Sequence, residues 1–191
     1  MNIEICILAG GLSTRLGRDK ARLKLHGQTM LARIRAAARE LGCPVRVIRR
    51  DLVARCGPLG GIFTALETTR TEAVLFLACD MPLVTAALLR RIMRASGGGT
   101  RAVCAAQSGR VGFPLVLPAT TLAVIAAQLQ SKEFSLQALA EILRARRLVV
   151  SLRRTELFNV NTPEEVAVAR QYLAALGPPP RPPRGVDRKN E

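Results

Sequence analysis

The chain has 191 residues, 49% of them apolar and 23% charged, which is enough for one globular domain with a sizeable core. Its formal net charge of +15 attracts anions in general, but five Phe, one Tyr and no Trp leave the cations without interleaved stacking platforms, so the charge reads as solvated surface and not as a nucleic-acid interface. No apolar run approaches the roughly 18 residues of a membrane span, the start lacks the pattern of a secretory signal, and five singly placed cysteines exclude a disulfide framework, so the expectation is a soluble chain in the reducing cytoplasm.

The first predicted strand, 3–8, is apolar and runs straight into Ala9-Gly10-Gly11-Leu12-Ser13-Thr14-Arg15-Leu16-Gly17-Arg18-Asp19-Lys20. Paired glycines let backbone N–H groups approach an anion closely, and Arg15 and Lys20 supply fixed positive charge, so the loop is suited to a nucleoside triphosphate. It is neither a P-loop, which needs four residues between its glycines and then Lys-Ser/Thr, nor the dinucleotide fingerprint with its third glycine. Residues 24–28 read as a turn that carries the only histidine, His26, to which no catalytic role is given; without a second histidine no zinc site has credible spacing, and any metal is expected to be a hard cation on oxygen ligands.

Apolar returns at three and four predict a helix over 30–41, followed by a strand at 45–48 and a second helix over 59–66. Before that helix lies Cys56-Gly57-Pro58-Leu59-Gly60-Gly61-Ile62, where Pro58 suits a first helical turn and the glycines permit close approach of either a ligand or a neighbouring strand. The strand at 73–79 delivers Asp80 just past its carboxyl end, where ligands sit in open α/β sheets, and a carboxylate there can hold Mg²⁺ against a triphosphate.

Further strands are predicted at 102–105, 111–117 and 148–152, and helices over 86–93, 120–129, 136–145 and 163–176, with Thr85, Ser135 and Thr162 as N-caps and Glu164 and Glu165 in the last helix's first turn. Strands alternating with helices give an α/β domain whose mostly parallel sheet is covered on both faces. Asn159 and Asn161 flank Val160 and point the same way in extended chain; one of them either offers an oxygen to a metal or phosphate or caps the helix start. After Gly177 the composition turns to proline and arginine, so residues 178–191 are expected to be a disordered tail appended to a 1–177 domain.

The run from Leu8 to Lys20 resembles the signature Leu-Ala-Gly-Gly-x-Ser-x-Arg-x-Gly-x-Asp-Lys of nucleotidyltransferases with a GT-A-like, Rossmann-type fold. Gly57-Pro58-Leu59-Gly60-Gly61-Ile62, Cys79-Asp80-Met81-Pro82, Phe113-Pro114-Leu115 and Phe158-Asn159-Val160-Asn161-Thr162-Pro163-Glu164-Glu165 narrow the resemblance to the MobA-like molybdenum cofactor guanylyltransferases, in the expected order across residues 3–173. The resemblance implies a single three-layer domain that joins GMP from GTP to the terminal phosphate of molybdopterin and releases pyrophosphate, with Mg²⁺ as cofactor and molybdoenzyme apoproteins or their chaperones as partners. It implies that Leu8, Ala9, Gly10, Gly11 and Lys20 hold the nucleotide, that Gly60 lines its pocket, that Asp80 binds both metal and nucleotide, and that Arg15, Lys20 and Asp80 carry the chemistry. Related cytidylyltransferases place an aspartate at the position of Asn161, which makes Asn161 the second metal candidate.

One departure stands out. Family members carry two short strands before the Gly-Pro-Leu-Gly-Gly element, whereas residues 45–55 leave room for one, so Asp51 alone remains to contact the nucleoside, and backbone from Leu8 to Gly10 is the other candidate for reading the base. A molybdopterin cytidylyltransferase or a sugar-phosphate nucleotidyltransferase is the alternative reading within the same chemistry. A basic nucleotide-binding module without turnover is the alternative outside it.

Overall fold

Six strands form one sheet in the order β4-β1-β5-β7-β6-β8, built from β1 (Ile3–Leu8), β4 (Val45–Ile48), β5 (Ala73–Ala78), β6 (Val103–Gln107), β7 (Arg110–Pro118) and β8 (Arg146–Val149). The computed structural model describes residues 2–10, 20–53, 56–151 and 155–175. β1 pairs in parallel with β4 and with β5, and β6 in parallel with β8, while β7 is the one antiparallel strand, slotted between β5 and β6. β1 and β5 are buried along nearly their whole length, as strands covered on both faces must be.

Helices α1 (Met30–Arg39) and α3 (Ala86–Ala95) cover one face and α2 (Pro58–Glu67), α4 (Leu122–Gln130) and α5 (Leu136–Ile142) the other. Residues alternate between the two cores along the central strands, with Leu75 and Leu77 of β5 in the first and Val74 and Phe76 in the second. Two of the predicted caps close their helices, Thr85 accepting from Leu88 N at 3.2 Å and Ser135 from Ala138 N at 3.2 Å, and Thr29, which was not foreseen, caps α1 by accepting from Ala32 N at 3.1 Å. A small third core joins a two-strand hairpin, β2 (Lys24–Leu25) and β3 (Gln28–Thr29), to α6 (Pro163–Ala175) through Leu25, Met30, Val160, Val166 and Ala169. The turn foreseen at 24–28 is the link of that hairpin, with His26 and Gly27 both at positive φ (47° and 79°) and His26 Nε2 2.9 Å from the Arg170 carbonyl of α6.

Several predicted boundaries shift, and two of the shifts are linked. α5 stops at Ile142 and not at 145, because Arg144 turns left-handed (φ 46°) and the N–H of Ala145 donates to Ala140 O at 2.8 Å, a Schellman closure made without glycine. β8 accordingly begins at Arg146, two residues before the predicted 148, and its pairing closes when Val150 N donates to Ala106 O at 2.8 Å. The proposed tail, 178–191, lies outside the described residues, as do Gly11 and Arg15. Among the described residues no helix is long and apolar enough to cross a membrane.

Candidate functional site at the carboxyl ends of β1, β4 and β5

Register places Leu8 beside Ile48 on one side and Ala78 on the other, so three parallel strands end level. The ladder then runs on for one bond each way: Ala9 N donates to Ile48 O at 2.8 Å and Cys79 N to Leu8 O at 3.0 Å. Asp80 follows immediately, half-buried, one residue past the bond that ties Cys79 to the end of β1. Burial pushes its carboxyl above the usual carboxylate range; the Lys20 ammonium and a backbone hydrogen bond pull it back, and the Glu165 charge adds to the rise.

Lys20 opens a short 3₁₀ turn, and its Nζ donates to Asn161 Oδ1 at 2.5 Å across 141 residues of sequence. Asn161 is itself held from behind. The N–H groups of Asn161 and Thr162 donate to one Glu165 carboxylate oxygen at 2.6 and 3.0 Å, and the Glu165 N–H donates to Thr162 Oγ1 at 3.3 Å, a capping box that starts α6. Val160 N donates to the Asp80 carbonyl at 2.8 Å, which ties this segment to the end of β5. Asp80, Lys20 and Asn161 therefore meet at one edge of the sheet, whereas Asn159 is exposed.

Asp51 reaches the same edge from the far side of β1. A Cβ on Gly10 would stand 3.3 Å from both Asp51 Oδ1 and the Arg49 carbonyl, and one on Gly60 would stand 2.7 Å from the Val53 carbonyl and 3.1 Å from Asp51 Oδ2. The glycines of the Gly-Pro-Leu-Gly-Gly element thus admit the 51–53 backbone close to α2, and the Asp51 carboxylate lies between Gly10 and that helix. Thr64 fastens the arrangement, accepting from Leu52 N at 2.8 Å while donating to Gly60 O at 2.7 Å. Burial raises the Asp51 carboxyl as well. Only β4 stands between α1 and α2 among the described residues, in keeping with the single strand foreseen there.

Sequence reasoning brought Leu8, Ala9, Gly10, Lys20, Asp51, Gly60, Asp80 and Asn161 to this edge, and it missed Glu165 as the residue that fixes Asn161. The spacing Thr162-Pro163-Glu164-Glu165 carries the capping-box signature and was the available signal. As to a metal, no group of three His, Cys, Asp or Glu side chains that could hold one exists among the described residues. One half-buried carboxylate with an amide oxygen beside it is a donor set for a hard cation that takes its other oxygens from phosphates and water, and the Asn161 oxygen keeps a second lone pair while accepting from Lys20.

Residues 5–150 match the family model described as the MobA-like NTP transferase domain. A probable molybdenum cofactor guanylyltransferase of Opitutus terrae is 34% identical over 182 residues, covering 83% of this chain and 90% of that protein. The molybdenum cofactor guanylyltransferase of Xanthomonas euvesicatoria is 32% identical over 173 residues, with 83% and 89% covered. Among solved structures, molybdopterin-guanine dinucleotide biosynthesis protein A from Archaeoglobus fulgidus superposes with a TM-score of 0.67 at 16% identity, over 90% of this chain and 99% of that one. A nucleotidyl transferase from Methanothermobacter gives 0.71 at 22% identity, over 92% and 99%. At such identities the two structures speak for the fold alone.

Proposed function

The chain belongs to the MobA-like NTP transferase domain family, and from that premise we propose that it transfers GMP from GTP to the terminal phosphate of molybdopterin, releasing pyrophosphate. The observation that carries this reading is that Asp80, at the end of β5, lies beside the end of β1 and near a Lys20 held by Asn161. The names of the relatives supply the substrates; the site supplies the means.

A terminal phosphate oxygen of the acceptor forms the new bond to the α-phosphorus of GTP as the bond from that phosphorus to the pyrophosphate oxygen breaks. A phosphomonoester is already largely ionised at neutral pH, so no general base is required, and rate comes from positioning and from neutralising charge. Backbone of Leu8, Ala9, Gly10 and Gly11 cradles phosphate, and Lys20, bonded to Asn161, meets the charge that collects on the leaving pyrophosphate. Arg15 adds a second cation to the same loop. Asp80 and Asn161 would hold Mg²⁺, which when bound neutralises the triphosphate. Asp51, beside Gly10, takes nucleoside hydrogen bonds. Molybdoenzyme apoproteins or their chaperones are the receivers of the finished cofactor, and the cytoplasm is the compartment in which they meet it.

The test is formation of the guanine dinucleotide cofactor by purified protein given molybdopterin, Mg²⁺ and either GTP or CTP. Product with GTP and little with CTP is expected. A preference for CTP moves the chain to the cytidylyl branch, and tight nucleotide binding with no pyrophosphate released makes it a binding module.

A further inference from the structure

We propose that Arg110, at the tip of the β6–β7 hairpin, binds the phosphate of the acceptor substrate and so defines the second half of the active site. The inference rests on the transfer reaction proposed above and adds to it the side from which the acceptor arrives.

Strand order and strand direction carry it. Along the sheet, β5 with Asp80 divides β1 and β4, which bear the nucleotide elements, from β7, β6 and β8. In-line displacement sets the attacking oxygen opposite the departing pyrophosphate, so with GTP lying over β1 the acceptor has to come in over β7. Because β7 runs antiparallel to β5, with Phe76 opposite Leu115 and Ala73 opposite Pro118, its beginning lies at the end of the sheet that bears Asp80. The beginning of β7 is Arg110.

Arg110 is placed firmly and left open. It pairs with Gln107 across a two-residue turn in which Ser108 and Gly109 both have positive φ (52° and 76°). Gln107 Nε2 donates to the Ser151 carbonyl at 3.1 Å, which moors the hairpin to the segment that leads on toward Asn161. The register Ala105 opposite Gly112 and Gln107 opposite Arg110 sets Arg110 on the same face as Ala105, Leu148, Val150 and Leu157, the face from which that segment departs. Its side chain is exposed, and the described residues give it neither an ion-pair partner nor a hydrogen bond. It is the sole cation between β6 and the buried part of β7. A guanidinium on a rigid turn presents its fork to a dianionic phosphate at small cost in ordering, and it contributes nothing to holding GTP on the other side of β5.

The test is calorimetric titration of molybdopterin into wild type, Arg110→Ala and Arg110→Lys, each saturated with Mg²⁺ and a GTP analogue whose α,β-bridge cannot be cleaved, alongside a titration of the analogue alone. Arg110→Ala should weaken acceptor binding by roughly tenfold, equivalent to 1.4 kcal/mol, with Arg110→Lys recovering most of it; the Kd of the GTP analogue and the melting temperature should not move. Acceptor affinity unchanged in Arg110→Ala overturns the proposal, as does an equal loss of affinity for the analogue. If wild type ignores molybdopterin but turns over another phosphomonoester, the substrate reading fails, and the same titration with that phosphomonoester still decides Arg110. If wild type binds no phosphomonoester, both fall together.

Discussion

The two ends of the parallel strands answer the same problem, charge near a core, in opposite ways. At the amino end, Glu4 of β1 is 9% exposed, and its Oε1 accepts from Arg46 Nη2 at 2.7 Å and from Thr69 Oγ1 at 2.6 Å. Arg46 also donates to the Ala65 carbonyl at 2.9 Å and to Thr68 Oγ1 at 2.6 Å, so the strand edge and the end of α2 close on each other. Just above, burial pushes the Cys6 thiol up to about 12, and it is inert. At the carboxyl end, Asp80 and Asp51 are both raised by burial and are not brought back to their ordinary range by the protein. At one end the carboxylate is satisfied within the fold, by an arginine and a threonine; at the other, burial leaves two carboxylates raised.

Asp80→Asn is the harshest break of that contrast. Loss of the carboxylate should lower the transfer rate by about 10² to 10³, the scale of removing one preorganised electrostatic group. Stability should move the other way. A raised folded pKa means that Asp80 keeps its proton, in the fold, to a higher pH than in the unfolded chain, so its contribution falls as pH climbs from the unfolded value through the folded one and is a net cost at neutral pH. Ligand-free Asp80→Asn should therefore melt at or above wild type at pH 7, with the gap closing in acid. A variant that melts markedly lower would make Asp80 structural.

Glu4→Gln tests the opposite end and should give the opposite result. Breaking a fully buried pair costs about 3 to 5 kcal/mol. With the Arg46 side chain 31% exposed, a loss of about 2 kcal/mol in chemical denaturation is expected, and kcat/KM below the melting temperature should be unchanged. A drop in turnover without a drop in stability would erase the distinction between the two ends.

Asp51→Ala follows in size. If Asp51 is the nucleoside's acceptor between Gly10 and α2, as proposed, GTP affinity by calorimetry should fall roughly tenfold, or 1.4 kcal/mol. The fold should tolerate the change, since Asp51 is not the group that secures this segment; Leu52 N to Thr64 Oγ1 is. An unchanged Kd leaves base reading to the backbone from Leu8 to Gly10.

Residues whose neighbours in sequence are also their neighbours in space were legible before any coordinates. β1, β5 and the helix caps at Thr85 and Ser135 follow from local pattern, and Asp80 follows from lying one step past an apolar strand. What stayed hidden depends on contacts distant in sequence or on backbone turns that leave no compositional mark. The left-handed Arg144 ends α5 where glycine would have announced it, and the two-residue strands of the β2–β3 hairpin are too short to alternate. The bond from Lys20 to Asn161 spans 141 positions, and local chemistry alone left metal binding and helix capping equally open at Asn161. Thr64 reads as an ordinary helical position until the 51–53 segment is seen lying against it.

The smallest effect is the most discriminating, because Glu165 belongs to both sorts of charge at once. It is satisfied within the fold, accepting from the N–H groups of Asn161 and Thr162, and it also faces Asp80 and raises it. Glu165→Gln keeps an acceptor at the third position of a capping box, so helix α6 should start as before and the melting temperature should change little. Asn161 should stay in place behind Lys20, and transfer at pH 7 should fall less than tenfold. The charge, however, is gone. With one fewer anion opposing it, Asp80 ionises more readily, and the acid limb of the pH profile of kcat/KM should move to lower pH. Glu165→Ala serves as the control, losing the cap together with the charge, so there turnover should drop well below that of Glu165→Gln. If the acid limb stays where it is in Glu165→Gln while turnover holds, Glu165 is scaffolding alone and the limb belongs to another group.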